Sequence, residues 1–246
     1  MISENMMPMS SSLAIIPARA GSKSIKNKNI KLFNGKPLIA WTIAQAIESN
    51  ISRVVVTTDC DNIRDIAVKY GAEVPYLRDK RLSNDTIGIE PVIIDTLDYL
   101  KDSETYIPSC VALLMPTSPF REVNDINAAL SIFFNGGVSS VISVTPAIAN
   151  NNPHWMLKEN CDQSINLFNG QNLSEISTRR QDLPEVFIRN DFIYALDPKN
   201  LYMNKPGLYG ANPKLMKVSD SRVDIDINTQ LDWEVAEILF TKINSI

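Results

Sequence analysis

Two groups of residues in this chain have the type and spacing for chemistry. One is a run of cations in a polar loop; the other is a set of aspartates two positions apart. Leu13 to Asn29 reads LAIIPARAGSKSIKNKN. No acidic residue lies between Glu4 and Glu48, whereas Arg19, Lys23, Lys26, Lys28, Lys31 and Lys36 all fall there. The whole chain carries a net charge of −4. A positive island in an acidic chain points to a local anionic ligand rather than to a broadly basic surface. Gly21, Ser22 and Ser24 are small, so their backbone N–H groups can approach phosphate oxygens. The stretch fits a triphosphate-binding loop after a buried strand; a solvated lysine loop is the plainer alternative. It is neither a Walker A sequence nor GxGxxG, because no glycine precedes Gly21 at the required distance.

The aspartates come in two pairs. Asp224 and Asp226 sit in VDIDI, and in a strand residues two apart point to one face. Two carboxylates held together repel, and Mg²⁺ relieves that repulsion; an exposed edge strand with solvated acids is the other reading. Asp59 and Asp61, in TTDCDN, form a second Asp-x-Asp, the metal motif of many nucleotide-sugar glycosyltransferases. Their duller account is a helix N-cap at Asp61 and a turn aspartate at Asp59. Arg179-Arg180-Gln181 offers guanidinium forks that suit a carboxylate, or else a surface turn. The single histidine, His154, lies in an Asn/Pro-rich segment and reads as structural, which excludes a histidine relay or a His-rich metal site. Cys60, Cys110 and Cys161 are widely spaced and fit a reduced compartment; Cys60 has no histidine near it in sequence to activate it.

The elements that must position these residues alternate. Leu13–Pro17, Arg53–Thr58, Val74–Leu77, Val111–Met115 and Val138–Val144 read as short buried strands. Helices are expected from Pro37, from Asp61 to Tyr70, over Glu90–Leu100 and over Asn124–Phe134, with Gly71 and Gly136-Gly137 as stops. This rhythm predicts an α/β fold, a doubly wound, mostly parallel sheet. Its ligands sit beyond the carboxyl ends of the strands, where the basic loop and the loops after Thr58 and Met115 converge. From about residue 145 to 184 the rhythm breaks. Trp155, Met156, Leu157, Ile165, Leu167 and Phe168 are too apolar for a disordered loop, so a small inserted lobe that buries its apolar side against a partner subunit is expected. Phe187–Leu196 and Lys214–Val218 return as strands. Val223–Ile227 follows, and Thr229–Ile243 closes as an amphipathic helix with Leu231, Val235, Ile238, Leu239 and Ile243 on one stripe. The 246 residues fit a single domain. The N-terminal MISENMMPMSSS reads as a loose tail rather than a secretory signal. No apolar run is long enough to span a membrane, and the acidic balance argues against nucleic acid.

Taken in order, IIPARAGSKSIKNKN, SNDT at Ser83–Thr86, LLMPTSPFR at Leu113–Arg121, RRQDLP at Arg179–Pro184 and DIDINTQLD at Asp224–Asp232 strongly resemble the acylneuraminate cytidylyltransferases, the CMP-sialic acid synthetase family. The resemblance runs from about Leu13 to Ile243 and is weaker toward the synthetases of the eight-carbon acid Kdo. It implies a Rossmann-like nucleotidyltransferase in a cytoplasmic homodimer, with a dimerisation lobe. The implied reaction joins CTP and a nine-carbon 2-keto acid sugar, with Mg²⁺, into a CMP-sugar and pyrophosphate. Carried over by position, Arg19, Ala20, Gly21, Ser22 and Lys23 fall on triphosphate contacts, and Lys28 and Asn29 on a Lys-Asn element reaching the nucleotide. Arg78, Asp85, Thr86 and Ile87 fall on the cytosine and ribose pocket. Met115, Thr117, Ser118, Arg180, Gln181, Asn190 and Asp191 fall on the sugar side, and Asp224 and Asp226 on the metal. Arg19, Lys28 and Asp224 carry the catalytic roles in this reading, Asp224 or a metal-bound hydroxide being the candidate base. Two departures lie on the sugar side: many relatives have a glutamine at Met115, and many read NGAIY where Asn190–Tyr194 reads NDFIY. Two other readings stay open on residues alone, a metal-dependent nucleotide-sugar glycosyltransferase using Asp59 and Asp61, and a nucleotide-binding module without catalysis.

Overall fold

The computed structural model describes residues 11–218 and 225–243. Its strands and helices are β1 (Ser12–Pro17), β2 (Leu32–Phe33), β3 (Lys36–Pro37), α1 (Leu38–Glu48), β4 (Arg53–Thr57), α2 (Asp61–Lys69), α3 (Ile89–Glu104), β5 (Cys110–Leu113), α4 (Val123–Gly136), β6 (Ser140–Pro146), β7 (Leu157–Glu159), β8 (Ile165–Leu167), β9 (Phe187–Leu196), β10 (Pro213–Lys217) and α5 (Gln230–Ile243). Among these, six strands form one sheet in the order β10-β6-β9-β5-β1-β4. β1 runs parallel to both β4 and β5, and β10 parallel to β6. β9 runs antiparallel between β5 and β6.

The continuous apolar strands follow from a sheet covered on both faces. Alternate residues of β1 divide between two cores. Ala14 and Ile16 join Val54, Val56 and Ala112 in a core shared with α1, α2, α4 and α5. Leu13 and Ile15 join Val55, Val111 and Leu113 in a core closed by Ile93, Leu97 and Leu100 of α3. Since β1, β4 and β5 are parallel, residues just after Pro17, Thr57 and Leu113 emerge at one edge. The antiparallel β9 brings the beginning of its strand to that edge as well, with Arg189 opposite Val144 and Phe187 opposite Pro146.

Between β6 and β9 the chain leaves the main sheet. It forms the β7–β8 hairpin and short 3₁₀ turns. Ile148, Leu157, Ile165 and Phe168 are exposed there. Trp155 is turned inward instead, its indole N–H donating to the Ser177 carbonyl oxygen at 2.6 Å. His154 is structural, its backbone N–H donating to Asn152 Oδ1 at 3.1 Å.

Four expectations need correction. Val74–Leu77 is not a full strand; the segment makes only isolated bridges, Glu73 to Val55 and Leu77 to Thr58. Cys60, not Asp61, occupies the N-cap of α2; Asp61 is in the first turn and pairs with Arg64 at 2.6 Å. Residues 225–228 belong to no strand, because Ile227 spends its N–H on the Thr117 carbonyl oxygen in a loop contact; Val223 and Asp224 lie outside the described residues. The buried stripe of α5 runs through Trp233 and Ala236, with Leu239 and Phe240 packed beside it. Leu231, Val235 and Ile238 face outward, Leu231 and Ile238 at 68% exposure each. The larger aromatic surface won: Trp233 meets Phe33 edge-on at 5.5 Å, and Phe240 meets Phe33, Trp41 and Phe120.

This packing predicts a contrast within one helix. Trp233→Ala lowers the unfolding free energy by about 3–5 kcal/mol, whereas Leu231→Ala changes it by less than about 0.5 kcal/mol. Urea denaturation of both variants, read as a shift in midpoint at constant slope, checks it.

Candidate functional site

The basic loop leaves β1 at Ala18, whose N–H donates to the Thr57 carbonyl oxygen at 3.0 Å. Its course is then pinned from three sides. Asp59, at the end of β4, accepts from the Ala20 backbone N–H at 3.0 Å. Buried Asn29 donates from Nδ2 to the Arg19 carbonyl oxygen at 3.0 Å. Ser24 Oγ donates to the Asn228 carbonyl oxygen at 2.5 Å. Asn27 adopts a left-handed conformation, φ 56°, which Asn tolerates and which turns the chain into the short helix bearing Lys28. Ala20, Gly21 and Ser22 form the tip of the loop, Gly21 exposed with open space where a Cβ would stand.

The cations of this loop converge with residues far along the chain. Arg19 Nη2 and Lys23 Nζ each contact the Asp85 carboxylate at 2.5 Å. Arg19 Nη1 also donates to the Ser83 carbonyl oxygen at 3.3 Å. These two cations hold the Asp85 carboxyl below its usual range, Lys23 contributing most. Asp85 therefore stays charged through the neutral range, and the stability of the pairing is lost only in acid, as the pH falls through that lowered value. Asn84 Oδ1 accepts from the N–H groups of Thr86 and Ile87, which fixes the turn that presents Asp85.

Arg78 is buried beside this turn. Its N–H donates to the Thr58 carbonyl oxygen at 2.8 Å and its Nε to Ser83 Oγ at 3.1 Å. Its Nη1 is buried without a hydrogen-bond partner. Burial lowers the Arg78 pKa, with Asp59 opposing. Arg19, Arg78, Asp85, Ile87 and Met115 line one cavity of about 260 Å³, floored by Pro17, Ile89 and Val92. Met115, expected on the sugar side, thus also borders the cavity that holds the expected nucleotide contacts.

Lys28 points to the other flank. Its Nζ donates to the Ile227 carbonyl oxygen at 2.7 Å. Burial lowers its pKa, Asp226 and Asp232 oppose that shift, and Arg19 adds to it. Charges from residues 19, 28, 226 and 232 thus act on one another in one place. Asp232, in the first turn of α5, closes a capping box with Thr229: its Oδ2 accepts from Thr229 N–H at 2.7 Å and Asn228 N–H at 3.0 Å, and its own N–H donates to Thr229 Oγ1 at 3.2 Å. Asp226 Oδ2 accepts from Asn228 Nδ2 at 2.6 Å, while Oδ1 is buried without a partner. An orphaned buried carboxylate oxygen is a fit for a hard cation such as Mg²⁺. Asp224, the other expected ligand, lies outside the described residues. Among the described residues, no group of three or more His, Cys, Asp or Glu side chains is gathered for a metal.

The expected sugar-side residues divide. Thr117 holds the Ile227 N–H at 2.9 Å, and Ser118 Oγ donates to the Asp191 carbonyl oxygen at 3.4 Å. Asn190 is buried, with Nδ2 unpartnered. Asp191 has φ 55°, and its carboxylate accepts from the Tyr194 hydroxyl. Arg180 and Gln181 instead stand exposed on the lobe, with no side-chain hydrogen bond to these residues among those described. Asp59 and Asp61 make no metal pair. Asp59 braces Ala20, and Asp61 is turned to Arg64 on the helix surface. The sequence reading missed the brace from Asp59, the contacts of Ser24 and Ser83, and buried Arg121. The first has a signal, an Asp at a strand end; Arg121 has none, since an arginine after PTSPF reads as surface.

A sequence family described as cytidylyltransferase matches residues 13–232. The chain is 37% identical to a CMP-N,N'-diacetyllegionaminic acid synthase of Legionella pneumophila, over 92% of this chain and 95% of that protein. It is 30% identical to a pseudaminic acid cytidylyltransferase of Campylobacter jejuni, over 94% and 97%. With an N-acylneuraminate cytidylyltransferase of Escherichia coli it shares 32% identity, over 94% of this chain and 52% of that protein. Among solved structures, a CMP:2-keto-3-deoxy-manno-octonic acid synthetase complexed with CTP superposes with a TM-score of 0.67 at 16% identity, covering 95% of this chain and 99% of that one. That likeness is one of fold. No helix among the described residues is long and apolar enough to cross a membrane.

Asp85 holds the two loop cations that a polyphosphate needs. Asp85→Asn therefore tightens binding of inorganic tripolyphosphate by up to about fivefold, the worth of an exposed ion pair of roughly 1 kcal/mol. The gain shrinks as salt is raised. Calorimetric titration at two ionic strengths checks it; weaker binding by the variant means that Asp85 contacts the ligand rather than competing with it.

Proposed function

Because the chain belongs to the cytidylyltransferase family and forms a CMP-sugar from CTP, we propose that its acceptor is a nine-carbon 2-keto acid sugar. The first acid to test is one of the N,N'-diacetyllegionaminic kind. The 37% identity to a synthase of that name over nearly both chains supports this choice. So does the pair of departures, Met115 and Asp191, from the pattern of N-acylneuraminate enzymes. The observation that carries the reading is that the loop after β1 holds Arg19 and Lys23 against Asp85 on one flank and Lys28 against the Ile227 carbonyl oxygen, next to Asp226, on the other.

The chemistry asks little of covalent catalysis. The anomeric oxygen forms a bond to the α-phosphorus while the bond to the bridging oxygen breaks, and pyrophosphate leaves with that electron pair. The hydroxyl proton passes to a base, for which Asp224 is our candidate. Negative charge grows on phosphate oxygens, so positioned cations do most of the work. Arg19 and Lys23 take the β- and γ-phosphates, exchanging Asp85 for the triphosphate. Lys28 sits where Asp226 and burial act on it in opposite senses, and it takes a non-bridging oxygen. The unpartnered Nη1 of Arg78 supplies a donor for the nucleoside. Asn190 offers its free amide N–H to the acid sugar; Arg180 and Gln181, exposed on the lobe and apart from Asn190, are assigned to the carboxylate on the sequence resemblance alone. We assign Mg²⁺ to Asp226 and Asp224; it supplies charge neutralisation at the phosphates when bound.

Assembly completes the proposal. The exposed Ile148, Leu157, Ile165 and Phe168 make the lobe an apolar surface in need of cover, and a second copy of the chain in a homodimer supplies it. Light scattering at micromolar concentration is expected to give twice the monomer mass, and a monomer sinks this part.

Pyrophosphate release from CTP, Mg²⁺ and a panel of eight- and nine-carbon keto acids tests the reaction. The expected result is release with a nine-carbon acid and little with the eight-carbon one. Asp226→Asn is expected to lower turnover by roughly 100-fold or more, whereas Asp61→Ala leaves it largely intact. The reverse ranking supports the glycosyltransferase reading, and tight CTP binding without release for any acid supports a non-catalytic module.

A further inference from the structure

The loop after β5 is held from behind by one arginine. Arg121 is 2% exposed, among the largest fully buried side chains of the protein. Its Nη2 donates to the Met115 carbonyl oxygen at 2.7 Å and its Nε to the Phe192 carbonyl oxygen. Its Nη1 reaches Gln45 Oε1 at 3.3 Å and Thr42 Oγ1 at 3.4 Å, both on α1. Gln45 Nε2 donates in turn to the carbonyl oxygens of Pro119 and Arg121, at 3.0 and 2.6 Å. One guanidinium therefore ties three elements: the loop carrying Met115, Thr117 and Ser118, the turn of β9 at Asp191-Phe192, and α1 behind them. Asp125 and Asp191 act on it through space, opposing burial, which lowers its pKa to about 9, so it remains charged at neutral pH.

A buried cation held by carbonyl and amide oxygens costs more than an apolar residue of the same size. Its return is geometric. A planar fork fixes the directions of several acceptors at once, which a lysine or methionine does not do. The acceptors it fixes are main-chain atoms next to Asp191 and at Met115, where the chain departs from the sialic acid pattern. By contrast, the contacts that hold the basic loop run through Asp59, Asn29 and Ser24.

We propose that Arg121 is a positioning residue for the acceptor half of the site: it sets the spacing between the loop 115–118 and the turn 190–192, and so which acid sugar fits, without touching substrate. The assignment rests on the acceptor reading given above. Arg121→Lys keeps the charge and loses the fork. It is expected to raise the KM for the acceptor about tenfold or more, with a several-fold smaller effect on the Kd for CTP, measured by calorimetry without the acid, because Met115 also borders the nucleotide cavity. Equal losses toward both ligands, or no loss toward either, overturn the proposal. Hydrogen exchange reads it independently of turnover. Protection is expected to fall about tenfold at residues 115–121 and 189–193 and to stay unchanged at 13–30; a uniform loss assigns Arg121 to general stability and overturns the proposal. Should Arg121→Lys fail to fold, Gln45→Ala gives the same split on a smaller scale, and its absence there counts equally against the proposal. Wild-type protein inert toward every acid refutes the acceptor reading, while the exchange pattern still decides the role of Arg121.

Discussion

Several cations brought to one strand edge must be balanced by oxygens, and this requirement organises the site. Arg19, Lys23, Lys28 and Arg78 come from two segments that the parallel sheet delivers side by side. Like charges at such distances repel unless anions or dipoles intervene. The chain supplies them from two stretches, 83–85 and 226–227. Asp85 lies between Arg19 and Lys23, Ser83 meets Arg78, and the Ile227 carbonyl with nearby Asp226 meets Lys28. Each partner is an oxygen, the kind of group that a bound phosphate would replace or join in the proposed reaction.

One residue, Ile227, links the two sides of the site. The N–H of Ile227 is held by the Thr117 carbonyl and its C=O by Lys28. Asp226 is the preceding residue, so its carboxylate is placed by one group from the acceptor-side loop and one from the nucleotide-side loop. A shift in either moves the acid. Residue 225 onward therefore forms no ladder strand. Its backbone groups are spent on loop contacts, which aim the Asp226 side chain with its Oδ1 unpartnered.

The sheet was largely legible because its signal is local. Continuous β-branched runs such as VVV at 54–56 need cover on both faces, and glycines at 71 and 137 end helices where a left-handed residue is required. Charge alone left the basic loop open between a phosphate cradle and a solvated loop, whereas the order of motifs along the chain pointed to the cytidylyltransferase family, which the family match bears out. What escaped depends on competition at a distance. Both stripes of α5 are apolar, and only the ring of Phe33, Trp41 and Phe120 decides that Trp233 and Phe240 turn inward while Leu231 faces water. Asp59 and Asp61 share one spacing but not one fate, since Ala20 is within reach of the first and Arg64 of the second. Arg121 resembles any loop arginine until three elements close around it.

The two halves of the site are under different constraints, because they are built on different strand geometries. The proposed nucleotide half hangs on β1 and β4, parallel neighbours at one end of the sheet, and the loop after β1 is fixed by contacts through Asp59, Asn29 and Ser24. The acceptor half rests on β9, which runs antiparallel and shifts register between Ile142 and Val144. Such an irregularity re-aims side chains without disturbing the strands around it. Within it, between Arg189 and Tyr194 of β9, Asp191 takes φ 55°, a conformation open to Gly, Asn and Asp and costly for most others. Aspartate tolerates this backbone, and its carboxylate is received by the Tyr194 hydroxyl three residues on. A full charge can thus be added beside the acceptor without moving the backbone that binds the donor. In the proposed reading the acceptor side is thus shaped by an irregular strand, and the donor side by a loop held through its own cations and their oxygens.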